Sequence, residues 1–191
     1  SGVSPVDSLA NASATFMVRA RLPWLIFGLM GGIFAAYVSR LFEHTRSTYM
    51  ILAMFIPVMV YLSDAAGTQT EGLIIRTMAL EPRFDVKRYL LREFKISAVL
   101  ALTCGALLGL AVLLGWGSLL FAIVIGSSMF MSMTFVVCMT VGVALIFRRL
   151  HIDPAVATGP LATIISDITS LIVYFSIATV ALEVISPLFK P

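Results

Sequence analysis

An aspartate, Asp167, stands inside the apolar run "ATIISDITSLIVYF" at 162–175. A carboxylate at the centre of a bilayer costs about 2.5–3.5 kcal/mol on insertion scales, so one placed there needs a partner. Positions three and four apart share a helix face. At that spacing Asp167 has Pro160, Thr163, Ser170 and Tyr174. A second stripe, Pro57, Tyr61, Asp64, Thr68 and Glu71, repeats the pattern in an earlier apolar run. Two kinds of partner are open to these acids: a basic side chain at the same depth, or a passing cation or proton. No Lys, Arg or His lies at comparable depth; the nearest, Arg76 and Arg149, fall at the rim. An unpaired carboxylate at membrane depth marks an ion or proton path. Asp167 is the first candidate. Asp64 is the second, unless it is simply hydrated at the outer mouth, and Glu71 sits near the opposite end.

The surrounding ligand atoms are oxygens. They come from the carboxylates, the hydroxyls of Thr68, Thr163 and Ser170, the Gln69 amide, and backbone carbonyls near Gly67 and Gly159. Oxygen-only surroundings suit hard cations such as Mg²⁺, Ca²⁺ or Na⁺. Mg²⁺ sheds water reluctantly and is usually held by one or two carboxylates. One carboxylate per chain, doubled by a two-fold axis, would suit it. His44 and His151 read as loop residues. Cys104 and Cys138 lie in apolar runs without metal spacing and read as buried structural thiols.

The elements that position these residues are set by composition. The chain has 191 residues, 60% of them hydrophobic and 12% charged, with mean hydropathy +1.03. A soluble domain carries about 25% charged residues. The chain therefore reads as an all-α, polytopic membrane protein. A crossing needs about 20 apolar residues, and spans are expected at 22–42, 49–80, 96–114, 119–147 and 156–188. The second is too long for one straight crossing. It contains Pro57, and "SDAAGTQTEG" in its second half is polar, so it is expected to be kinked or partly unwound. A basic amphipathic stretch, "EPRFDVKRYLLREFK", reads as the loop that follows it. Asp167 comes about 16 Å into the fifth span, close to mid-membrane. The domain division expected is an N-terminal segment, 1–20, and one five-helix membrane domain, 21–191.

Charge orients the bundle. Arg19, Arg21, Arg76, Arg83, Lys87, Arg88, Arg92, Lys95, Arg148 and Arg149 fall on one side of five spans, and Arg40, Arg46 and Lys190 on the other. The positive-inside rule places the richer side, and with it the N-terminus, in the cytoplasm. Gly28 with Gly32 and Gly105 with Gly109 have the spacing that lets helices approach closely, within one chain or between two. Ser127, Ser128, Ser132, Thr134 and Thr140 of the fourth span are expected to bond back to their own helix. Met129, Met131 and Met133 are expected to fill its core contacts.

Two long segments carry a family resemblance. "PVMVYLSDAAGTQTEGLIIRTMAL" resembles the second-helix signature of MgtE-type magnesium transporters, and "DPAVATGPLATIISDITSLIVYF" resembles their fifth-helix signature. "RARLPWL" also fits the entry to the first span. The resemblance implies a homodimer of five-helix protomers with a central path lined by the second and fifth helices. It implies that Asp167 binds Mg²⁺ through its water shell. It also implies a multi-pass protein of the cell's inner (plasma) membrane. Three positions depart from the family pattern: Asp64 stands where asparagine is common, Glu71 where a small residue is usual, and Ile164 where a threonine is usual. Members usually carry a cytoplasmic helical domain and paired nucleotide-binding-type repeats that sense magnesium; any such sensing domains lie outside this chain.

The expected function is divalent cation transport, most simply Mg²⁺ uptake down the electrochemical gradient. A double charge moved through 100 mV gains about 4.6 kcal/mol, and no G-x-x-x-x-G-K-[ST] phosphate loop is present. The alternative is an exchanger coupling Mg²⁺ to Na⁺ or H⁺, motivated by the extra acids. An intramembrane aspartyl protease needs "YD" and "GxGD" contexts that neither Asp64 nor Asp167 has. An enzyme is not expected, nor is a nucleic-acid partner. The expected partners are a second copy of the chain and the bilayer, and the expected bound and transported ion is Mg²⁺.

Overall fold

The computed structural model describes residues 14–81, 83–151 and 154–185. Segment 1–13 and Lys190 lie outside the described residues. Every element among those described is an α-helix: α1 Ala14–Leu41, α2 Glu43–Thr48, α3 Met50–Leu80, α4 Val86–Trp116, α5 Leu119–Arg149 and α6 Pro154–Ile185. Five of these, α1, α3, α4, α5 and α6, include stretches long and apolar enough to cross a membrane. They are the five expected spans in order. The chain is therefore a multi-pass membrane protein. Helix α1 begins within the segment that was expected to precede the domain.

Two expectations change at α3 and α4: the second span is not unwound, and most of the basic stretch is helix. Helix α3 is continuous from Met50 to Leu80, through Pro57 and Gly67. Polar side chains do not break a helix, and in an apolar surround the backbone groups must satisfy one another within it. Gly67 and Gly159 both lie inside helices, so their surroundings supply no unwound carbonyls. The basic stretch is not a loop either. Asp85 accepts hydrogen bonds from the backbone N–H groups of Lys87 (3.0 Å) and Arg88 (3.2 Å). That side-chain cap starts α4 at Val86, so the basic residues ride on its first turns. At the far end Gly117 takes φ 66°, the left-handed conformation that glycine adopts freely, and Ser118 caps α5 one residue later.

Helix α5 is the hub. It packs along α4, α6 and α3, while α3 and α6 also pack on each other. Helix α1 lies at the edge, resting on α6. The α4–α5 seam is made by absent side chains: a Cβ at Gly126 would stand 2.7 Å from the Gly105 carbonyl oxygen, and one at Gly109 2.9 Å from that of Ala122. The expected close approach at Gly105 and Gly109 is thus made within one chain. Gly28 and Gly32 meet nothing within 4 Å. Met129 and Met133 fill the core as expected. Ser127 and Thr134 bond back to their own helix, whereas Ser132 donates across to the Ser170 carbonyl at 3.3 Å. Cys104 is half-buried and Cys138 exposed, both unpaired; Cys138 is on the outer face of α5, contrary to the buried thiol expected.

Aromatic contacts finish both ends. Phe42 stacks on Phe175 at 5.3 Å, and Phe55 meets Trp116 edge-on at 5.2 Å. At the opposite end Phe84 meets Tyr89 edge-on at 5.4 Å, with Arg148 over the first ring and Arg92 over the second. This second girdle falls on the basic side of the bundle. Tyr174 is fully buried, and its hydroxyl donates to the Leu52 carbonyl at 2.8 Å. That carbonyl lies one residue before that of Ala53, whose ladder donor Pro57 removes. Tyr174→Phe is expected to cost about 1 kcal/mol of stability, read as a lower midpoint of thermal unfolding in detergent.

Candidate ion site

Helices α3 and α6 bring the two acids together. They pack on each other, and Asp64 and Asp167 are close enough to interact electrostatically. Both are half-buried. One turn from each along the predicted stripes, Thr68 and Thr163 are exposed, and Glu71 is half-buried. The 64–68–71 spacing is kept by the unbroken α3, so these side chains share a face. Helix α6 carries no Lys, Arg or His, and α3 carries only Arg76, about three turns from Asp64. The face is acidic, open and without a base at its own depth. Among the described residues no three His, Cys, Asp or Glu side chains gather as a metal cage. Two facing carboxylates suit a cation that keeps much of its own water.

The other predicted residues divide. Ser170 is fully buried, and its hydroxyl donates back to the Asp167 carbonyl at 3.0 Å. With Tyr174 it belongs to the core, so the stripe on α6 is open at Thr163 and Asp167 and closed one turn beyond. Gly67 is buried against α5 and α6: a Cβ there would lie 2.9 Å from Val136 and 3.2 Å from the Thr140 hydroxyl. It lets α3 sit close and offers the ion no ligand. Gly159 is exposed near the start of α6. Gln69 does not join the acids. With Ala66, Thr70 and Leu73 it lines a small cavity toward α4, on the far side of α3. Five residues at 100° each carry it well round the helix from Asp64. Ile164, the position usually threonine, lies against Gly31 of α1 in van der Waals overlap with any Cβ there; it is a packing residue.

One residue escaped the sequence reading. Glu93 of α4 is only 5% exposed and accepts a hydrogen bond from the buried Thr70 hydroxyl at 3.0 Å. It lies in the basic amphipathic stretch that reads as a loop from the sequence. A signal was present: Tyr89, Glu93, Ser97, Ala101 and Gly105 recur every four residues and form the buried face of α4, so Glu93 continues an inward-facing row.

Residues 56–177 match the MgtE family, described as divalent cation transporters. The chain is 32% identical over 175 residues to a magnesium transporter MgtE of Bacillus subtilis, covering 91% of this chain and 39% of that protein. It is 32% identical over 184 residues to a magnesium transporter MgtE of Thermus thermophilus, covering 94% and 40% respectively. A third, from Enterococcus faecalis, is 33% identical over 165 residues, covering 83% and 36%. The chain thus spans about two fifths of the length of these relatives. The matched region contains both signature helices, α3 almost whole and most of α6, and on this ground the chain belongs to the MgtE family of divalent cation transporters.

Proposed function

We propose that this domain carries Mg²⁺ into the cell, down its electrochemical gradient, past Asp167. The observation that carries the reading is the pair of half-buried carboxylates on an open face of two membrane-spanning helices with no base at their depth. Lipid does not solvate a carboxylate, and intramembrane acids face a bundle interior or a water-filled space. The open face is therefore covered by something polar. A second protomer related by a two-fold axis meets that need. It sets Asp64, Thr68, Asp167 and Thr163 opposite their own copies around a wet path. The basic girdle of Arg88, Arg92 and Arg148 then faces the cytoplasm by the positive-inside rule. That orientation puts the N-terminus inside, and uptake into the cell requires the plasma membrane.

In this mechanism the ion is not stripped. Mg²⁺ demands near-octahedral oxygen geometry, and two carboxylates, with their copies, bond its water shell rather than replace it. Asp167 supplies the charge at mid-membrane, Asp64 adds to it, and Thr68 and Thr163 accept or donate to the shell. The driving force is the membrane potential, about 4.6 kcal/mol per Mg²⁺ at 100 mV. The test is Mg²⁺ entry into proteoliposomes holding the purified chain and an internal Mg²⁺ dye, under an imposed potential. Flux that follows the potential and needs neither a Na⁺ nor a proton gradient is the expected result. Flux only when one of those gradients is present would replace this mechanism with coupled exchange.

A further inference from the structure

Helices α3 and α4 both pack on α5 but have little contact with each other. The space between their basic-side halves holds a cavity of about 60 Å³ lined in part by Gln69, Thr70, Glu93 and Ser97. Across it runs the Thr70 to Glu93 hydrogen bond. Both partners are buried, at 5% exposure each. Glu93 lies on the side of α3 away from Asp64, Thr68 and Glu71, so it does not border the acidic face. The other groups around it are the Val137, Cys138 and Val141 side chains of α5 and Phe94 of its own helix, with Tyr89 one turn below. Unmaking a hydrogen bond between two buried groups strands a polar atom without a partner, which costs more than the bond itself contributes. At the other end of the bundle Phe55 of α3 meets Trp116 of α4; in the basic-side half, the Thr70–Glu93 bond is the polar link between the two helices among the described residues.

We infer that Glu93 is a positioning residue for transport: through Thr70 it fixes the half of α3 that carries Thr68 and Glu71, and so sets the width of the path behind Asp64. This rests on the transport reading above for its functional consequence, but the mechanical claim can be judged without flux. One turn above Thr70, helix α3 is held by Gly67, packed against α5 and α6. Below Gly67 its packed face continues through Thr70 and Ile74, and Thr70 is the polar member of that row. Removing its acceptor frees the segment beyond Gly67 to move away from α5 and carries Glu71 with it.

The experiment uses the full chain in liposomes, with Cys104 and Cys138 replaced by alanine and spin labels at Leu80→Cys and Leu91→Cys, both exposed positions near the basic ends of α3 and α4. The label-to-label distance distribution is measured beside Mg²⁺ flux for Glu93→Ala, Glu93→Gln, Thr70→Val and the double variant Thr70→Val/Glu93→Ala. Loss of the bond in Glu93→Ala or Thr70→Val is expected to broaden the distribution and lower flux roughly tenfold, the scale of one lost buried hydrogen bond. The double variant is expected to be no worse than either single one. Glu93→Gln keeps an oxygen acceptor and is expected to retain the parent distribution and flux. An unchanged distribution in Glu93→Ala, or a Glu93→Gln variant as impaired as Glu93→Ala, overturns the inference; the latter would make the charge itself the functional element. If the parent chain carries no flux, the transport reading fails and the distance measurement still decides this one.

Discussion

Asp167→Asn is expected to lower Mg²⁺ entry by roughly 100-fold, the equivalent of losing about 3 kcal/mol of charge-assisted interaction. Asparagine preserves the volume and most of the hydrogen-bonding capacity of the side chain. It removes the negative charge that stands beside that of Asp64 across the α3–α6 contact. The variant should fold, because Asp167 is half-buried and the hydrogen bond from Ser170 reaches its backbone carbonyl, not its carboxylate. Asp64→Asn is expected to be milder, about tenfold, since one carboxylate of the facing pair remains. Flux into dye-loaded liposomes checks both, with growth of a magnesium-dependent strain as the cellular counterpart. Parent-level flux from a well-folded Asp167→Asn protein would remove Asp167 from the mechanism.

Gly126→Val is expected to be the most damaging single change to the fold. The Cβ it introduces would stand 2.7 Å from the Gly105 carbonyl oxygen and 3.4 Å from the Gly109 Cα. These are backbone atoms, so no rotamer change can make room, and α4 must move away from the hub. Overpacking a close core contact costs about 1–3 kcal/mol or more, and here the contact lies on the most extensive helix seam in the protomer. Gly142→Ala on the same helix is the matched control. Nothing lies within 4 Å of a Cβ there, and alanine is favoured over glycine inside a helix by up to about 1 kcal/mol. Thermal unfolding in detergent should therefore separate the two in opposite directions from the parent. A Gly126→Val protein as stable as the parent would show that the seam tolerates separation.

The two halves of this picture were unequally legible in the sequence. Span number and order were readable because apolar length is a property of each segment alone. The start of α4 was misplaced because Arg83 to Lys95 were weighed as charge, while the Asp85 cap and the four-residue row from Tyr89 to Gly105 were not. Asp64, Thr68 and Glu71 were found because helical spacing preserves a face. Gln69 was assigned to that face by its neighbours in the chain, and its angle round α3 puts it elsewhere. Ser170 and Tyr174 share the spacing of Asp167 and yet are buried, because what covers a stripe depends on which helix passes over it. Here α5 and the α3 turn at Leu52 do so. The row from Tyr89 to Gly105 turns Glu93 inward, but its partner Thr70 is 23 residues away in the chain and only the tertiary structure supplies it.

The position of α1 has a consequence for biogenesis. Among the long helices it rests only on α6, yet it is the first of the five to leave the ribosome and α6 is the last. About 110 residues separate the end of one from the start of the other, which at 5–20 residues per second is roughly 5–20 s of synthesis. During that interval α3, α4 and α5 can already assemble around the glycine seam, while α1 waits in lipid with its Gly31 notch unfilled. Closure of the protomer is then a terminal event, made when Ile164 enters that notch. A nascent chain halted before α6 should therefore contain a compact three-helix unit and one solitary helix beside it, a species that membrane quality control can recognise as unfinished.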